Sequence, residues 1–535
     1  MIDYTIWAVE GIEIFLTVVM LLVTIAFLSV LSYKIVLMLQ LSGYRGREFG
    51  TWYRKSGYTI LYRYGFLSFL ICLCTLMYLS AFGDIFGFRY LGFGFFVVLS
   101  TIFIQFVNKI DKNPLKYTPR AIRLYITSTV LFVLVVFGVS FVPTGILGYF
   151  HLGLLPLTIM PIVLLANIIN TPGEKGIQQS YIRQAKAKLA SMPNLKIVAI
   201  TGSYGKTTSK NILHSLLSTK YLVCSTPASY NTPMGVCLTI NNQLQPQHEY
   251  LILEMGARYQ GDILELIDIA NPNIAMITSV GNQHLDTMHN YATVLATKLE
   301  IASQLTSDGV LILDGTNTDL REVAKYTSQA ILVNGDSDRF RSSNVIINND
   351  GTQFDLVIDG MILHIATKLL GRHIAGLVAM CIATAYTLGV TDMEAILATV
   401  ADLQPVPHRL QLLRNTEDYV IIDNAYSSNI VGAVNALEVL SNYTNLSKII
   451  VTPGIVEQGD NTQIINTQLG VEIAKVCDYS ILIGKNSRYL QQGIASVNSN
   501  INVIVVDTLA QAVDKVKHIN LPKVVLFEND LPDNM

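Results

Sequence analysis

Long apolar runs gathered in one part of the chain constrain its fold more than any other feature of the sequence. The 535 residues are 51% hydrophobic and 14% charged, with a mean hydropathy of +0.43. An ordinary globular domain is roughly a quarter charged. Nearly all the long apolar runs precede Thr171, and the sequence after it reads as ordinary soluble protein. The sequence therefore predicts a membrane module joined to a soluble body of more than one domain.

Five apolar stretches are long enough to cross a membrane as helices, which takes about 20 residues each. They are Ile12–Ser32, Gly65–Ala81, Phe86–Phe106, Tyr125–Val142 and Tyr149–Ile169. Lys and Arg are concentrated after the first, third and fifth stretches. Since basic loops stay in the cytoplasm, we predict a multi-pass protein of the cytoplasmic membrane, with its N-terminus outside and its soluble domains in the cytoplasm. These helices either only anchor the protein among membrane lipids or also hold a lipid-linked substrate.

The overall charge and the cysteines exclude other classes of site. A net charge of -2 and a pI near 6.5 argue against a nucleic-acid partner, which needs a basic face. The six cysteines include no C-x-x-C pair, so neither a zinc site nor a disulfide framework is indicated.

A glycine-rich loop follows the predicted linker Thr171–Pro193. The strand Lys196–Ile200 leads into TGSYGKTT, residues 201–208, and then into a helical stretch. In such a loop the backbone N–H groups and the helix N-terminus cradle phosphates, the lysine neutralises them, and the following hydroxyl binds magnesium. The loop therefore predicts a nucleotide site, although it is shorter than the usual G-x-x-x-x-G-K form.

Strands and helices then alternate, which predicts a parallel α/β sheet. The predicted elements are Tyr250–Glu254, Asp262–Ile269, Ile274–Val280, Tyr291–Gln304 and Val310–Leu313. Ligands of such sheets bind at the carboxyl ends of the strands. Glu254 ends one strand, His284 follows another, and Lys298 lies on the next helix, so all three are candidate site residues.

The series TGSYGKTT, NTPMGV, LEMGARYQGDI, GNQHLD and ATKLE resembles the Mur ligase family, especially its branch that adds D-alanyl-D-alanine. The resemblance implies that Lys206 binds the ATP phosphates, within a loop of further ATP-binding residues: Gly202, Ser203, Gly205, Thr207 and Thr208. It implies one magnesium ion on Thr207 and Glu254 and a second on His284 and Lys298, a lysine that is often carbamylated in the family. Lys206, His284 and Lys298 are the implied catalytic residues.

The C-terminal part of the sequence resembles a second, Rossmann-like domain. Its predicted strands are Tyr419–Asp423, Lys448–Val451, Ser480–Ile483, Ile501–Val506 and Lys523–Phe527. The family's D-D-x-Y-N-A-N-P element is matched by Asp423, Tyr426 and Asn429, and its hinge arginine by Arg409. The resemblance implies that these four residues face the ATP.

Two departures from the family pattern affect these expectations. Ile374 and Leu377 stand where the family's G-x-H-N-x-x-N motif has asparagines, which puts the contacts to the nucleotide base in doubt. The end of the chain lacks the related ligases' lysine-glycine-serine element and is acidic from Glu528 to Asp533. An acidic loop there would attract an ammonium group, so the incoming amine is expected to differ from the usual one.

These observations predict four segments: a transmembrane module over 1–170, a linker over 171–193, a central ATP-binding domain over 194–405 and a C-terminal domain over 406–535. The expected function is that of an ATP- and Mg²⁺-dependent amide ligase at the cytoplasmic membrane face. It would join a carboxylate acceptor, through an acyl phosphate, to an amino acid or dipeptide in building a cell-envelope precursor. Two alternatives stay open: a polymer-forming ligase of the poly-glutamate type, and a non-catalytic nucleotide-binding scaffold.

Overall fold

The computed structural model describes residues 2–82, 97–102, 114–140, 146–283, 285–306, 308–327, 329–335, 339–426, 429–456, 458–497 and 500–529. The chain divides into two compact units, one reaching to Gln178 and the other beginning at Gln179.

The first unit is helical. Its helices are Ile2–Leu31, Tyr33–Leu41, Gly46–Trp52, a π-helical turn Tyr53–Gly57, Tyr58–Phe82, Pro119–Ser140 and the first part of Ile146–Ala190. The short helix Tyr33–Leu41 is apolar along most of its length and is buried over Ile35–Leu39. It contributes to a core that also holds Phe132 and Ile159, both fully buried. Apolar side chains also cover much of the outside of this unit, as expected of helices that face lipid.

Three helical stretches of the described residues are long and apolar enough to cross a membrane: Leu21–Leu41, Pro119–Gly138 and Leu154–Ala190. They overlap the first, fourth and fifth of the five predicted spans. The second predicted span lies in helix Tyr58–Phe82, whose described apolar part, Tyr58–Cys74, is shorter. Most of the third, Phe86–Phe106, falls outside the described residues. The structure therefore supports three candidate spans, and five are not confirmed.

The predicted linker is helical over most of its length, because helix Ile146–Ala190 continues through it. Pro156, Pro161 and Pro172 all lie inside this helix. The last turns of the helix belong to the second unit, where Ala185 is buried in the core beneath the central sheet.

The central sheet of the second unit has six parallel strands. Their spatial order is Val223–Ser225, Tyr250–Glu254, Lys196–Thr201, Ile274–Ile277, Val310–Asp314 and Ala330–Val333. All residues of strand Tyr250–Glu254 are buried, as are most of strand Lys196–Thr201, which explains their continuous apolar sequence. From Lys196–Thr201 the chain first builds the sheet to one side and later to the other, so the carboxyl end of this strand is the expected ligand crevice.

Two β-hairpins form a separate three-stranded antiparallel sheet. Its strands are Phe340–Asn348, Gly351–Ile358 and Met361–Thr367, with turns at Asn349–Asp350 and Asp359–Gly360. Helix His373–Thr387 follows and packs against helix Lys206–Leu217. Its buried residues include almost every position from Ile374 to Ala385, so it is a core helix.

The C-terminal sheet has six strands, five of them parallel. Their spatial order is Gln411–Asn415, Tyr419–Asn424, Lys523–Glu528, Ser447–Thr452, Tyr479–Ile483 and Asn502–Val506, with Gln411–Asn415 antiparallel at one edge. Helices Ile430–Ser441, Thr462–Val476, Ser487–Ser496 and Leu509–Lys517 alternate with the parallel strands. The two α/β domains expected from the sequence are therefore present.

Candidate active site

The glycine-rich loop lies at the carboxyl end of the central strand. It connects strand Lys196–Thr201 to helix Lys206–Leu217, so the helix N-terminus points into the crevice. Ser203 is tied to the neighbouring strand end, because its N–H donates to the Ser279 carbonyl at 3.0 Å and its hydroxyl donates to the Gly281 carbonyl at 3.0 Å. The predicted phosphate loop is thus anchored to the end of the neighbouring strand.

Two glycines of this loop are required by their surroundings. Gly202 has φ +152°, and a Cβ there would lie 2.1 Å from Oγ1 of Thr278. Gly205 has φ +82°, and its Cβ would lie 2.7 Å from a Cδ of Leu377. Side chains at either position would displace neighbouring atoms and strain the backbone. The tight loop therefore depends on glycine at both positions.

Glu254 accepts hydrogen bonds on both carboxylate oxygens. The Thr207 hydroxyl donates to Oε2 at 2.9 Å, and the Asn231 amide donates to Oε1 at 3.2 Å. The Lys210 ammonium lies 3.6 Å from Oε2, and both charged side chains are about 2% exposed. Lys210 also donates to the carbonyl of Ala228. A buried carboxylate is tolerated here because a buried cation and two further donors compensate it.

Positive charges crowd around this carboxylate. Lys206 donates to the Gly202 carbonyl at 2.6 Å, and its pKa is lowered to about 8 by burial, against the opposing attraction of Glu254. Burial also lowers the pKa of Lys210 and of Arg409, and Arg409 further lowers the pKa of both lysines. One carboxylate therefore stands among three cations, an imbalance that favours a bound polyanion.

Lys298 is a buried lysine, 2% exposed, near the end of helix Tyr291–Leu299. No hydrogen bond or ion pair joins its Nζ to another residue that the structure describes. Burial, and then the charge of Lys206, lowers the pKa of Lys298 to about 7, while Glu300 and Asp262 act in the opposite direction. A large fraction of this amine is consequently neutral near pH 7. Its predicted partner His284 lies outside the described residues.

The C-terminal domain reaches the crevice through Arg409 and Tyr426. The Arg409 guanidinium stacks on the Tyr426 ring at 4.4 Å from its centre. The Tyr426 hydroxyl lies 3.1 Å from the hydroxyl of Ser229, in the loop that also holds Asn231. These contacts bring two of the four residues predicted in this domain to the central domain's side of the crevice.

The other two predicted residues of this domain have local partners. Asp423 accepts from the Ala425 N–H at 2.9 Å and lies 2.7 Å from Nδ1 of His408. Asn429 caps helix Ile430–Ser441, where its side chain accepts from the Gly432 N–H at 2.8 Å. Both side chains therefore hold the strand end and the following helix in place, and their contact with ATP remains a prediction.

The two positions that depart from the family motif are packed in the core. Ile374 is 4% exposed and Leu377 is 3% exposed, and both belong to the cluster around helix His373–Thr387. Leu377 fills the space over Gly205. Burial, and then the charge of Arg409, lowers the pKa of the adjoining His373 to about 4, so this imidazole is neutral. Apolar side chains, not amides, thus back the phosphate loop at this point.

Glu528 does not belong to a surface loop. It is fully buried, and Asn424 donates to its Oε2 at 2.7 Å. The neighbouring Asn529 donates to the Gly454 carbonyl at 2.7 Å. The expectation that an acidic loop here attracts an ammonium group is wrong for Glu528, because the strand carries this side chain into the sheet. The acidic residues after it lie outside the described part of the chain.

The site fits a nucleotide with magnesium. Thr207 and Glu254 offer the hard oxygen donors that Mg²⁺ prefers, and this ion usually takes one or two carboxylates together with phosphate oxygens. Within the described ranges, no three His, Cys, Asp or Glu side chains cluster as they would in an all-protein metal site. The donors present therefore suit an ion that is held largely by substrate phosphates.

Three contact residues were not identified from the sequence. Lys210 lies one turn after Lys206, a spacing that places both on one helix face and could have revealed it. Asn231 lies in the motif NTPMGV, but its residue type alone does not indicate a contact with Glu254. Ser229 offered no signal, because its partner Tyr426 is 197 positions away in the chain.

Comparison with known proteins assigns both α/β domains. The Mur ligase middle domain model matches residues 200–385, and the model of the Mur ligase glutamate ligase domain matches residues 408–528. The UDP-N-acetylmuramoyl-tripeptide--D-alanyl-D-alanine ligase of Escherichia coli is 28% identical over 303 residues, which are 55% of this chain and 65% of that protein. The enzyme of the same name from Bacillus subtilis is 29% identical over 315 residues, 58% of this chain and 67% of that protein. The chain thus spans about two thirds of the length of these relatives.

Solved structures show the same fold. MurF from Acinetobacter baumannii has a TM-score of 0.60 at 23% identity, covering 66% of this chain and 77% of that one. MurF from Thermotoga maritima, in complex with ADP, has a TM-score of 0.59 at 24% identity, covering 66% and 80%. The two matched domains together make up more than half of the chain, and the chain belongs to the Mur ligase family.

Proposed function

We propose that this protein is an ATP- and Mg²⁺-dependent amide ligase that acts at the cytoplasmic face of the membrane on a cell-envelope precursor. The observation that carries the proposal is the Thr207–Glu254 pair beside the cations Lys206, Lys210 and Arg409, at the end of a glycine loop. This arrangement provides hard oxygen donors for a metal and positive charge for a polyphosphate at one point. We also propose that the central ATP-binding domain extends over residues 194–405 and the C-terminal domain over 406–535.

The chemistry needs activation of a carboxylate, since hydroxide is a poor leaving group. ATP would phosphorylate the carboxylate, and an amine would then displace phosphate. Lys206 would neutralise the charge on the transferring phosphoryl group, with the backbone of Gly202, Ser203, Gly205 and Thr208 around it. Thr207 and Glu254 would hold a magnesium ion that neutralises phosphate charge.

A second magnesium ion on His284 and Lys298 is part of the same proposal. The position of Lys298 supports it, because a buried amine with a pKa near 7 can react with CO₂ in its neutral form. The resulting carbamate is an anionic oxygen donor of the kind that Mg²⁺ prefers.

Arg409 and Tyr426 would close the site from the C-terminal side. The hydrogen bond between Tyr426 and Ser229 supports this role, because it joins the two domains next to Glu254. A closed site excludes water and so protects an acyl phosphate from hydrolysis. Asp423 and Asn429 would shape the same wall through the contacts described above.

The acceptor is proposed to be a membrane-held carboxylate and the amine an amino acid or dipeptide. The relatives are named for adding D-alanyl-D-alanine to a UDP-muramoyl tripeptide. In this chain, a helical unit with three candidate membrane spans precedes the matched domains. That unit favours a substrate or product that is itself in the membrane.

The experiment is to incubate the detergent-purified full-length protein with Mg-ATP and extract of its native membranes, and to search for a mass gain on a lipid-linked precursor. The proposal expects one added amino acid or dipeptide, and none with Lys206→Ala. A ladder of products would instead indicate the polymer-forming alternative. Tight Mg-ATP binding without turnover for any amine would indicate the scaffold alternative, which the apolar Ile374 and Leu377 favour.

A further inference from the structure

The ends of the three candidate spans meet in a polar, positively charged cluster. Arg123 at the start of helix Pro119–Ser140 forms a two-pronged ion pair with Glu174, at 2.6 and 2.9 Å. Asn167 donates to the carbonyl of Tyr44 at 3.3 Å. The segment after the first span, the start of the second and the polar end of the third therefore lie together at one end of the helical unit.

This end of the unit carries excess positive charge. Arg120 and Arg123 share the carboxylate of Glu174, and no carboxylate among the described residues pairs with Lys116. Glu174 is largely committed to Arg123, and its distance to Arg120 is a longer 4.0 Å. In the described part of this end, three cations therefore stand beside one carboxylate, an excess that attracts anions.

Arg120 is held in a position to bind one. Its guanidinium stacks over the Tyr44 ring at 4.1 Å from the centre, and its side chain is about a quarter exposed. Stacking occupies the face of the planar group and leaves its N–H edges to bind oxygen atoms, as in arginine–phosphate pairs. Arg120 also stands at the start of a helix, where the backbone dipole favours an anion over a cation.

The surrounding backbone fixes this arrangement. Gln40 donates to the Lys116 carbonyl at 2.6 Å and accepts from the Lys116 N–H at 2.9 Å. The same amide lies 3.4 Å from the Tyr44 hydroxyl. Tyr44 itself has φ +60°, a conformation unusual for a residue with a side chain. Lys116, Tyr44 and Arg120 are thus brought together by specific contacts between separate segments.

The cluster lies at the boundary of a candidate span. Arg120 stands at the start of the span Pro119–Gly138, whose exposed residues farther along include Ile122, Ile126 and Val130. An anion with an attached hydrocarbon chain suits such a boundary better than a free ion does. We propose that the cluster of Tyr44, Lys116 and Arg120 binds the anionic phosphate head group of a membrane lipid. This inference rests on the membrane location in the proposed function.

The test uses full-length protein in detergent, titrated with phosphatidylglycerol, phosphatidylcholine or inorganic phosphate, with bound lipid counted by native mass spectrometry. We expect phosphatidylglycerol to bind in preference to phosphatidylcholine, and inorganic phosphate not to displace it at equal concentration. Arg120→Gln should weaken phosphatidylglycerol binding about tenfold, the effect of losing one charge-assisted hydrogen bond. Arg488→Gln is the matched control, because Arg488 stacks on Tyr489 at 4.4 Å on the surface of the other unit.

Two further variants separate binding from folding. Tyr44→Phe keeps the stacked ring and should bind as the wild type does, whereas Arg120→Lys keeps the charge without the planar edge and should bind more weakly. The lipid-free Tm of Arg120→Gln should stay near that of the wild type, while the rise in Tm on adding phosphatidylglycerol is lost. Equal binding by wild type and Arg120→Gln, or displacement by inorganic phosphate, would overturn the inference. ADP formation by the same samples shows separately whether the proposed ligase activity stands.

Discussion

The Thr207 hydroxyl donates a hydrogen bond to Oε2 of Glu254 at 2.9 Å, and so joins the helix after the phosphate loop to the end of the neighbouring strand. The Lys210 Nζ lies 3.6 Å from the same carboxylate oxygen. A single carboxylate therefore links the loop, the helix and the adjacent strand at the point where we place the metal.

Removing the charge of Glu254 should affect both activity and stability. In Glu254→Gln the buried Lys210 loses its counter-ion, which we expect to cost about 3–5 kcal/mol of the free energy of unfolding. ADP formation should fall, and the Mg²⁺ concentration for half-maximal activity should rise. Urea unfolding followed by circular dichroism, with ADP formation across a magnesium series, measures both effects.

The double variant Glu254→Gln/Lys210→Met checks that this loss comes from the ion pair. Its free energy of unfolding should fall by less than the sum of the two single changes, because the buried charge is no longer left alone. Strict additivity would show that the two residues are not coupled.

Substituting a glycine of the phosphate loop should be more damaging than substituting a glycine with free space around it. Gly202→Ala places a Cβ 2.1 Å from Thr278 Oγ1, whereas Gly261, at φ +90°, has nothing within 4 Å of such a Cβ. We expect Gly261→Ala to cost about 1 kcal/mol from backbone strain alone, and Gly202→Ala to cost more and to abolish ATP binding. Calorimetry of ATP binding and chemical unfolding measure these effects. ATP binding by Gly202→Ala at wild-type affinity would refute the assignment of the loop.

The effect of the hydrogen bond between Tyr426 and Ser229 can be measured separately from the effect of Tyr426 stacking on Arg409. Tyr426→Phe removes only the hydroxyl and should destabilise the closed conformation of the site by about 0.5–1.5 kcal/mol. We expect a modest rise in the KM for ATP. Tyr426→Ala also removes the ring that lies 4.4 Å from Arg409 and should raise this KM further. Ser229→Ala should match Tyr426→Phe, since both delete the same hydrogen bond.

The lowered pKa of Lys298, about 7, gives a direction for pH and CO₂ dependence. Below pH 7 the amine is mostly protonated and cannot form a carbamate, whereas at pH 8 it is mostly neutral. Activity at pH 8 should therefore fall in CO₂-depleted buffer and return with bicarbonate, and bicarbonate should have less effect at pH 6. Lys298→Arg, which stays cationic, should be inactive and insensitive to bicarbonate. Full wild-type activity without CO₂ would contradict a carbamylated Lys298.

Much of the fold followed from local patterns in the sequence. The buried strand Tyr250–Glu254 and helix Asp262–Ile269 were predicted with their observed boundaries, because a continuous apolar run and a helical period are visible without tertiary information. The turn at Asp359–Gly360 also has a local cause, since both residues suit left-handed backbone conformations.

The parts that could not be predicted depend on contacts between distant segments. The Lys210 bond to the Ala228 carbonyl requires a loop residue at φ +43°, which no local pattern indicates at an alanine. Glu528 looked like a surface acid, yet the register of its strand beside Asn424 buries it. Helix Pro119–Ser140 begins six residues before the predicted span Tyr125–Val142, because apolar composition alone does not locate the start of a helix.

The most direct test of the account is ADP formation by the full-length protein in the presence and absence of each reactant. We predict steady turnover only when Mg²⁺, a carboxylate acceptor and an amine are present together, and a loss of about a hundredfold or more in Lys206→Ala. Lys475→Ala, which removes a surface lysine paired with Glu472 at 2.8 Å, should retain full activity as the matched control. ADP formation that is unchanged in Lys206→Ala, or that needs neither acceptor nor amine, would contradict the account.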